Sequence, residues 1–590
     1  MDLVYPAFYR FDLLRWTPSR IELEIGAKEP TMTRLPNGIE DWAFTLRPDL
    51  RFPDDPCFPG GKGRQATAAD VVYAFKRMAD PATTSPIEPY VGDKILGFIA
   101  YVDGFKTLGK KHYDDPLPGV FVDPQDPLTF HVRLIEHYPQ LKYILAMHVS
   151  TPTPREAVEK YGDAFGVDHW VGCGPCKLEQ NLASEKIVLV PNTGSHVAPY
   201  PTETDSETTP DMLPGLGKPL PRNEKIVYTH FREELTVYNS FEQGYQDAIE
   251  ASYSNAQVMP GAAALTPEMI KRGVKLKISE VPSVDWLTFN MLDSKFGGYD
   301  EKHRKLRQAI SLAVDSSAYI DIICQGEGSP AQSIIPPGME GYDPNYRNPY
   351  RQFDPNLIRA KQLLAEAGYP KGVDPSTGKP LVLMFDTFAD TPALRQMERL
   401  FIQQIERLGI HVEPREGDSA TYTDRIKKRQ FQFAYDGWFA DYPDTEDFLQ
   451  LFVKNNWEPG PNDSMYGRPE TDALYREFRG MDSGPERTKL IQKMRDIIQE
   501  DCPRIYLAHL QLRMLVEPWV SGAKPLHIGN EEDTYISVDP AKRTALQAEW
   551  NRRSAVPLLG LVVVVGAALT PAALAISKRR KRKIRRGSAA

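Results

Sequence analysis

The chain has 590 residues, 41% of them hydrophobic and 25% charged, with 51 prolines and a formal net charge of −8. That length predicts several domains and a large core, and so much proline favours turn-rich, extended connections over a helical bundle. The charge is uneven: Lys578–Arg586 is basic at every position but Ile584 while the body is acidic, and an acidic body argues against nucleic-acid binding, which needs a positive surface to match phosphates.

The opening "MDLVYPAFYRFDLLRW" has neither the basic start, the apolar core nor the small-residue cleavage site of a signal peptide. Ala43–Phe52 alternates apolar and polar residues and predicts a half-buried strand. "ATAADVVYAFKRMADP" predicts a helix, with Thr67 as its cap, Asp70 completing a capping box and Pro81 just past its end. Asp126–Leu134 is a second alternating strand. Val171–Pro191 reads as strand, polar turn, strand, and the Pro-, Gly- and Thr-rich stretch that follows reads as a long loop. "EKIVYTHF" and Val284–Met291 are further strands. "EKHRKLRQAISLAVDSSAYIDIIC" predicts one helix, with Leu306, Ile310 and Ala313 on one face. Asn356–Pro370 is a short amphipathic helix stopped by Gly368 and Pro370. "LRQMERLFIQQIERLGIHVEP" repeats helix, Gly409 breaker and strand. Strands alternate with helices, so the fold class is α/β with mixed sheets.

Ala555–Ile576 carries no charge over a length that crosses a bilayer core of about 30 Å. The heavier basic flank is C-terminal, which predicts one transmembrane helix at 555–576, a cytoplasmic tail at 577–590 and an extracytoplasmic body.

Five cysteines are too few for a disulfide scaffold. Cys57, Cys324 and Cys502 stand alone. Cys173 and Cys176 form "CGPC", the spacing of a thiol redox pair, but that chemistry needs a helix N-terminus to activate the first thiol. Here a hairpin follows, which favours two small residues at a tight turn or a local disulfide. The 11 histidines show no metal-binding spacing, and there is no phosphate loop, nucleotide fingerprint or nucleophile elbow. No enzyme activity, cofactor or metal is expected.

One carboxylate stands out. Asp441 lies in "FQFAYDGWFADYPDTEDFLQLF", beside Tyr435, Trp438, Phe439 and Tyr442. A charge among apolar groups needs a partner if it is buried. It either caps a helix starting near Asp444, where Asp444, Glu446 and Asp447 suit a helix N-terminus, or meets a ligand.

"ATAADVVYAFKRMADP", "VGCGPCKL", "LRQAISLAVDSSAYI", "GEGSPAQSIIPPG", "RAKQLLAEAGYP" and "AYDGWFADYPD" occur in this order. Together they resemble the extracellular solute-binding proteins of family 5, the oligopeptide- and dipeptide-binding subunits of ABC importers, over roughly residues 1 to 550. The resemblance implies a two-lobed periplasmic-binding-protein type II fold with three domains. Residues 1–165 would be an inserted small domain, without the family's leading strand and signal peptide, so the start is expected to be truncated. Residues 166–275 and 507–550 would form a discontinuous domain and 276–506 the other lobe. Asp441 matches the aspartate that pairs with a peptide's α-ammonium group and Trp438 a pocket-wall aromatic, with Tyr435, Phe439 and Tyr442 completing the candidate ligand-binding set. The implied function is capture of extracytoplasmic peptides by a monomer that delivers them to a membrane permease and ATPase. Alternatives are another solute, such as a nickel chelate, haem or a sugar, and a CGPC thiol oxidoreductase. Two departures stand out. The basic residue that in several members holds the ligand carboxylate is missing at Ala434, Tyr435 and Asp436, and both cysteines replace the residues of the usual Gly-Thr-Gly-Pro-Tyr.

Overall fold

A computed structural model of the chain describes residues 3–15, 20–85, 88–108, 112–195, 197–205, 208–251, 264–324, 326, 328–351, 357–388, 392–457, 460–525, 528, 532–551 and 556–587. Its largest sheet has six strands in the order Ser329–Pro330, Arg504–His509, Ser283–Phe289, Phe433–Phe439, Val382–Thr387, His411–Glu416. Val382–Thr387 is parallel to both neighbours and the other pairings are antiparallel. Every residue of Ser283–Phe289 is buried. One face meets Leu306, Ile310, Leu363 and Phe401 of three helices, while Val284 and Trp286 join a second, larger core. A strand covered on both faces is apolar or internally bonded throughout.

A three-stranded sheet, Ala248–Glu250, Gln511–Val516 and Lys275–Glu280, stands beside it in sequence. The chain passes between the two sheets twice, once from Lys275–Glu280 into Ser283–Phe289 and once from Arg504–His509 into Gln511–Val516. These crossings touch: Glu280 is paired with Gln511, and the Val281 N–H donates to the Leu510 carbonyl at 3.3 Å.

The N-terminal part holds a four-stranded sheet, Thr31–Arg34, Glu40–Thr45, Thr129–Leu134 and Val120–Val122, packed on the helix Ala68–Met78. The Thr67 N–H donates to Asp70 at 2.8 Å, the back half of the capping box read from sequence. The strand expected over Ala43–Phe52 starts earlier and stops at Thr45, ahead of Pro48, which has no N–H to give a ladder. The single helix expected over Glu301–Cys324 is two, Glu301–Ala313 and Ser316–Ile322. Val314 is extended, and the Asp315 carboxylate accepts from the Ser317 and Ala318 N–H groups at 3.0 Å each, starting the second helix afresh.

The membrane-spanning helix expected at 555–576 is not supported. A helix runs over Val556–Gly587, but among the described residues no helix is long and apolar enough to cross a membrane. Residues 552–555 lie outside the described residues.

Candidate functional site

Phe433–Phe439 pairs in register with Ser283–Phe289, so Trp438 faces Val284 and Tyr435 faces Leu287. Alternation along a strand sends Tyr435 and Trp438 to opposite faces. Tyr435 goes to the helix-covered face, where its hydroxyl donates to Asp285 at 3.1 Å and lies 3.0 Å from the Tyr319 hydroxyl. It is therefore not brought together with Asp441. Trp438 packs against the other core, and its indole N–H donates to Asp447 at 3.1 Å. Phe439 is 55% exposed at the strand end.

Past Phe439 the chain turns around buried carboxylates. Asp447 accepts from the Trp438 indole, from the Asp441 backbone N–H at 2.9 Å and from Gln450 Nε2 at 3.0 Å. Asp444 accepts from Arg487 at 2.6 Å and from Gln140 at 3.2 Å. Glu446 accepts the hydroxyls of Tyr442 and Tyr475, and that of Tyr138 at 3.4 Å. Tyr442, expected at the ligand surface, is instead fully buried, edge-on to Tyr90 at 5.9 Å. Its hydroxyl serves Glu446, so it is framework. The carboxylates of this run are therefore more than a helix start; they tie residues 90–140 to 340–487.

Asp441 differs from its neighbours. It is partly exposed, and its Oδ2 accepts the Tyr90 hydroxyl at 2.5 Å. Among the described residues no Lys or Arg pairs with it. Burial raises its pKa and the Tyr90 bond counters this. Burial, then the charge of Asp441, holds the Asp447 carboxyl well above its usual range. A carboxylate with little water and no cation attracts an ammonium group.

A cavity of about 720 Å³ lies where the crossings meet. Its wall is built by Ser279–Pro282 and His509–Gln511, by Gly338–Glu340, and by Pro443 and Asp444. Asp441 is not part of that wall; it lies two residues before Pro443 in sequence. Several charges on the wall are already matched: Lys277 holds Asp211 at 2.8 Å, and Arg487 holds both Asp444 and Glu340. His509 and the crossing residues were missed by sequence reading. Nothing in "PRIYLAHLQLRML" marks where one strand hands over to the next.

Two predictions arise here. Asp285 is 4% exposed, with the hydroxyls of Tyr319 (2.7 Å) and Tyr435 as its partners, and burial pushes its carboxyl up to about 6. A folded-state pKa above the ordinary value near 4 stabilises the fold at low pH, and the contribution is lost as pH rises through 6. Asp285→Asn is expected to remove that decline, roughly 2–3 kcal/mol between pH 4 and 8, measured as urea midpoints of both proteins across that range. The second prediction concerns the thiols. Cys173 and Cys176 are buried, Cys176 opens a strand rather than a helix, and burial pushes its thiol up to about 12. No dipole activates either one. Both are expected to resist a water-soluble disulfide reagent in the native protein, and insulin reduction is expected to stay at background. Prompt labelling of either cysteine would contradict this.

Residues 39–460 match the bacterial extracellular solute-binding proteins, family 5 Middle. The periplasmic oligopeptide-binding protein OppA of Salmonella typhimurium is 26% identical over 488 residues, covering 82% of this chain and 78% of its own. Heme-binding protein A of Haemophilus influenzae is 27% identical, covering 54% of each chain. The structure of the periplasmic binding protein DppA from Helicobacter pylori, in complex with the peptide STSA, superimposes with a TM-score of 0.67 at 21% identity, over 91% of this chain and 92% of that one. A match over this much of the chain, on an α/β binding-protein fold with a cavity at the crossings, leads to one conclusion: the chain belongs to the bacterial extracellular solute-binding proteins of family 5, binders rather than enzymes.

Proposed function

We propose that the protein captures extracytoplasmic peptides and delivers them to a membrane permease and its ATPase. The observation that carries this reading is Asp441, a half-desolvated carboxylate whose partner is a hydroxyl and not a cation. It precedes by two residues in sequence Pro443, which with Asp444 borders the cavity at the crossings. A peptide's α-ammonium would supply the missing positive charge through a charge-assisted hydrogen bond. The lobes on either side of the two crossings, at Val281–Pro282 and at Leu510, would close about them, as hinged binding proteins do. Closure would exclude water and leave Asp441 charged without a partner unless ligand is present, so ligand stabilises the closed state. Phe439 and Trp438 would flank the ammonium. The names of the relatives support a peptide ligand, and the haem-binding relative supports haem as the second reading.

Isothermal titration of the full chain with di- to pentapeptides and, separately, with haem tests the choice. Heat of binding from free peptides and none from haem is expected. Haem binding with no response to any peptide would replace the first reading by the second.

A further inference from the structure

Beyond Asp441, the second crossing carries an imidazole of which the fold uses only one nitrogen. His509 is 4% exposed and borders the cavity. Its Nδ1 lies 2.7 Å from the Ser283 carbonyl oxygen. A carbonyl only accepts, so Nδ1 carries the proton and Nε2 is left with a bare lone pair. Among the described residues no donor meets Nε2. Burial, aided by the charge of Arg351, pushes the imidazole down to about 4, so the ring is neutral at pH 7 and the lone pair stays available.

The ring is also held still. The Ser283 hydroxyl accepts the Leu510 N–H at 3.1 Å, which ties the first crossing to the residue after His509. The backbone of His509 pairs with Ser329, another cavity residue. A fixed, buried acceptor on a cavity wall is oriented before ligand arrives, so it costs little to engage. Its chemistry selects the partner. A lone pair repels a carboxylate or a carbonyl and accepts from N–H or O–H. An extended peptide presents backbone N–H groups along its edge.

We infer that His509 is a ligand-contacting residue whose Nε2 accepts a hydrogen bond from a backbone N–H of the bound peptide. The inference rests on the peptide reading above and adds a polarity to it: the ligand edge facing the second crossing must donate. It also separates this wall from Asp441, since the histidine reads the amide backbone and not the terminal charge.

The test is titration of the wild type, His509→Phe and His509→Gln with trialanine and with its two analogues in which one amide is replaced by an ester. The ester removes the N–H without adding bulk. Thermal melts confirm that each variant is folded. The wild type is expected to lose about 3- to 10-fold in affinity for one of the two esters, the size of one neutral hydrogen bond. His509→Phe is expected to bind trialanine about 3- to 10-fold more weakly and no longer to distinguish that ester. His509→Gln, which keeps an acceptor, should fall between. An ester penalty unchanged in both variants would overturn the inference while leaving peptide binding standing. Absence of any peptide binding by the wild type would overturn the peptide reading, and this inference with it.

Discussion

Asp441→Ala is expected to weaken peptide binding a hundredfold or more. Removing one member of a desolvated, hydrogen-bonded charge pair costs roughly 3–5 kcal/mol, because the other charge stays buried without a partner. Here the stranded charge would be the ligand's ammonium. The other carboxylates of the loop cannot substitute. Asp444 is held by Arg487 and Gln140, Glu446 by tyrosine hydroxyls, and Asp447 by the Trp438 indole, the Asp441 N–H and Gln450. Tyr90→Phe should have a much smaller effect, since it removes one hydrogen bond from Asp441 and leaves the charge. The pH dependence has a definite sign. Burial raises the pKa of free Asp441, and a bound ammonium lowers it. Affinity is therefore expected to be full where free Asp441 is ionised and to fall as pH drops through its raised pKa, with proton release on binding in that range. Titration at several pH values, in buffers of different ionisation heat, measures both effects.

Glu446→Ala is expected to cost about 3–5 kcal/mol of stability. Glu446 is 1% exposed and accepts the hydroxyls of Tyr138, Tyr442 and Tyr475. Each buried hydroxyl left without a partner carries a penalty of about 1–3 kcal/mol, partly relieved where water enters the gap. The hub joins Tyr138, from the N-terminal part, to Tyr475 on the helix Pro469–Arg479. Its loss should loosen the packing of the N-terminal part against residues 440–480. Urea unfolding and limited proteolysis measure this, with Glu446→Gln expected between the wild type and Ala. A midpoint unchanged in Glu446→Ala would show that the three tyrosines find other acceptors at no cost.

Much of the fold is legible locally, and the reason is chemical. Thr67 and Asp70 sit at the spacing of a capping box and start a helix where expected. The polar turn in Val171–Pro191 gives the hairpin Cys176–Leu182 and Lys186–Pro191. Gly409, at a φ of +86°, ends one element and allows the next. The break at Val314 was hidden, because Asp315 within an apolar pattern reads as an exposed helical residue until its cap bonds are seen. The site is less legible. The faces of Tyr435 and Trp438 follow from strand periodicity alone, but only once Phe433–Phe439 is known to be a strand. The bond between Tyr90 and Asp441 joins residues 351 positions apart, and no local pattern encodes it. The acidic run after Tyr442 looks like a solvated helix start. Burial turns it into three hubs, which depend on tyrosines and arginines supplied from distant segments.

The pairing of a peptide's terminal ammonium with Asp441 is tested most directly by a thermodynamic cycle. Trialanine and N-acetyl-trialanine are titrated into the wild type and into Asp441→Asn. If the two charges meet, acetylation should cost the wild type a hundredfold or more and the variant little, a coupling of about 3 kcal/mol. Equal losses on acetylation in both proteins would mean that the ammonium binds elsewhere.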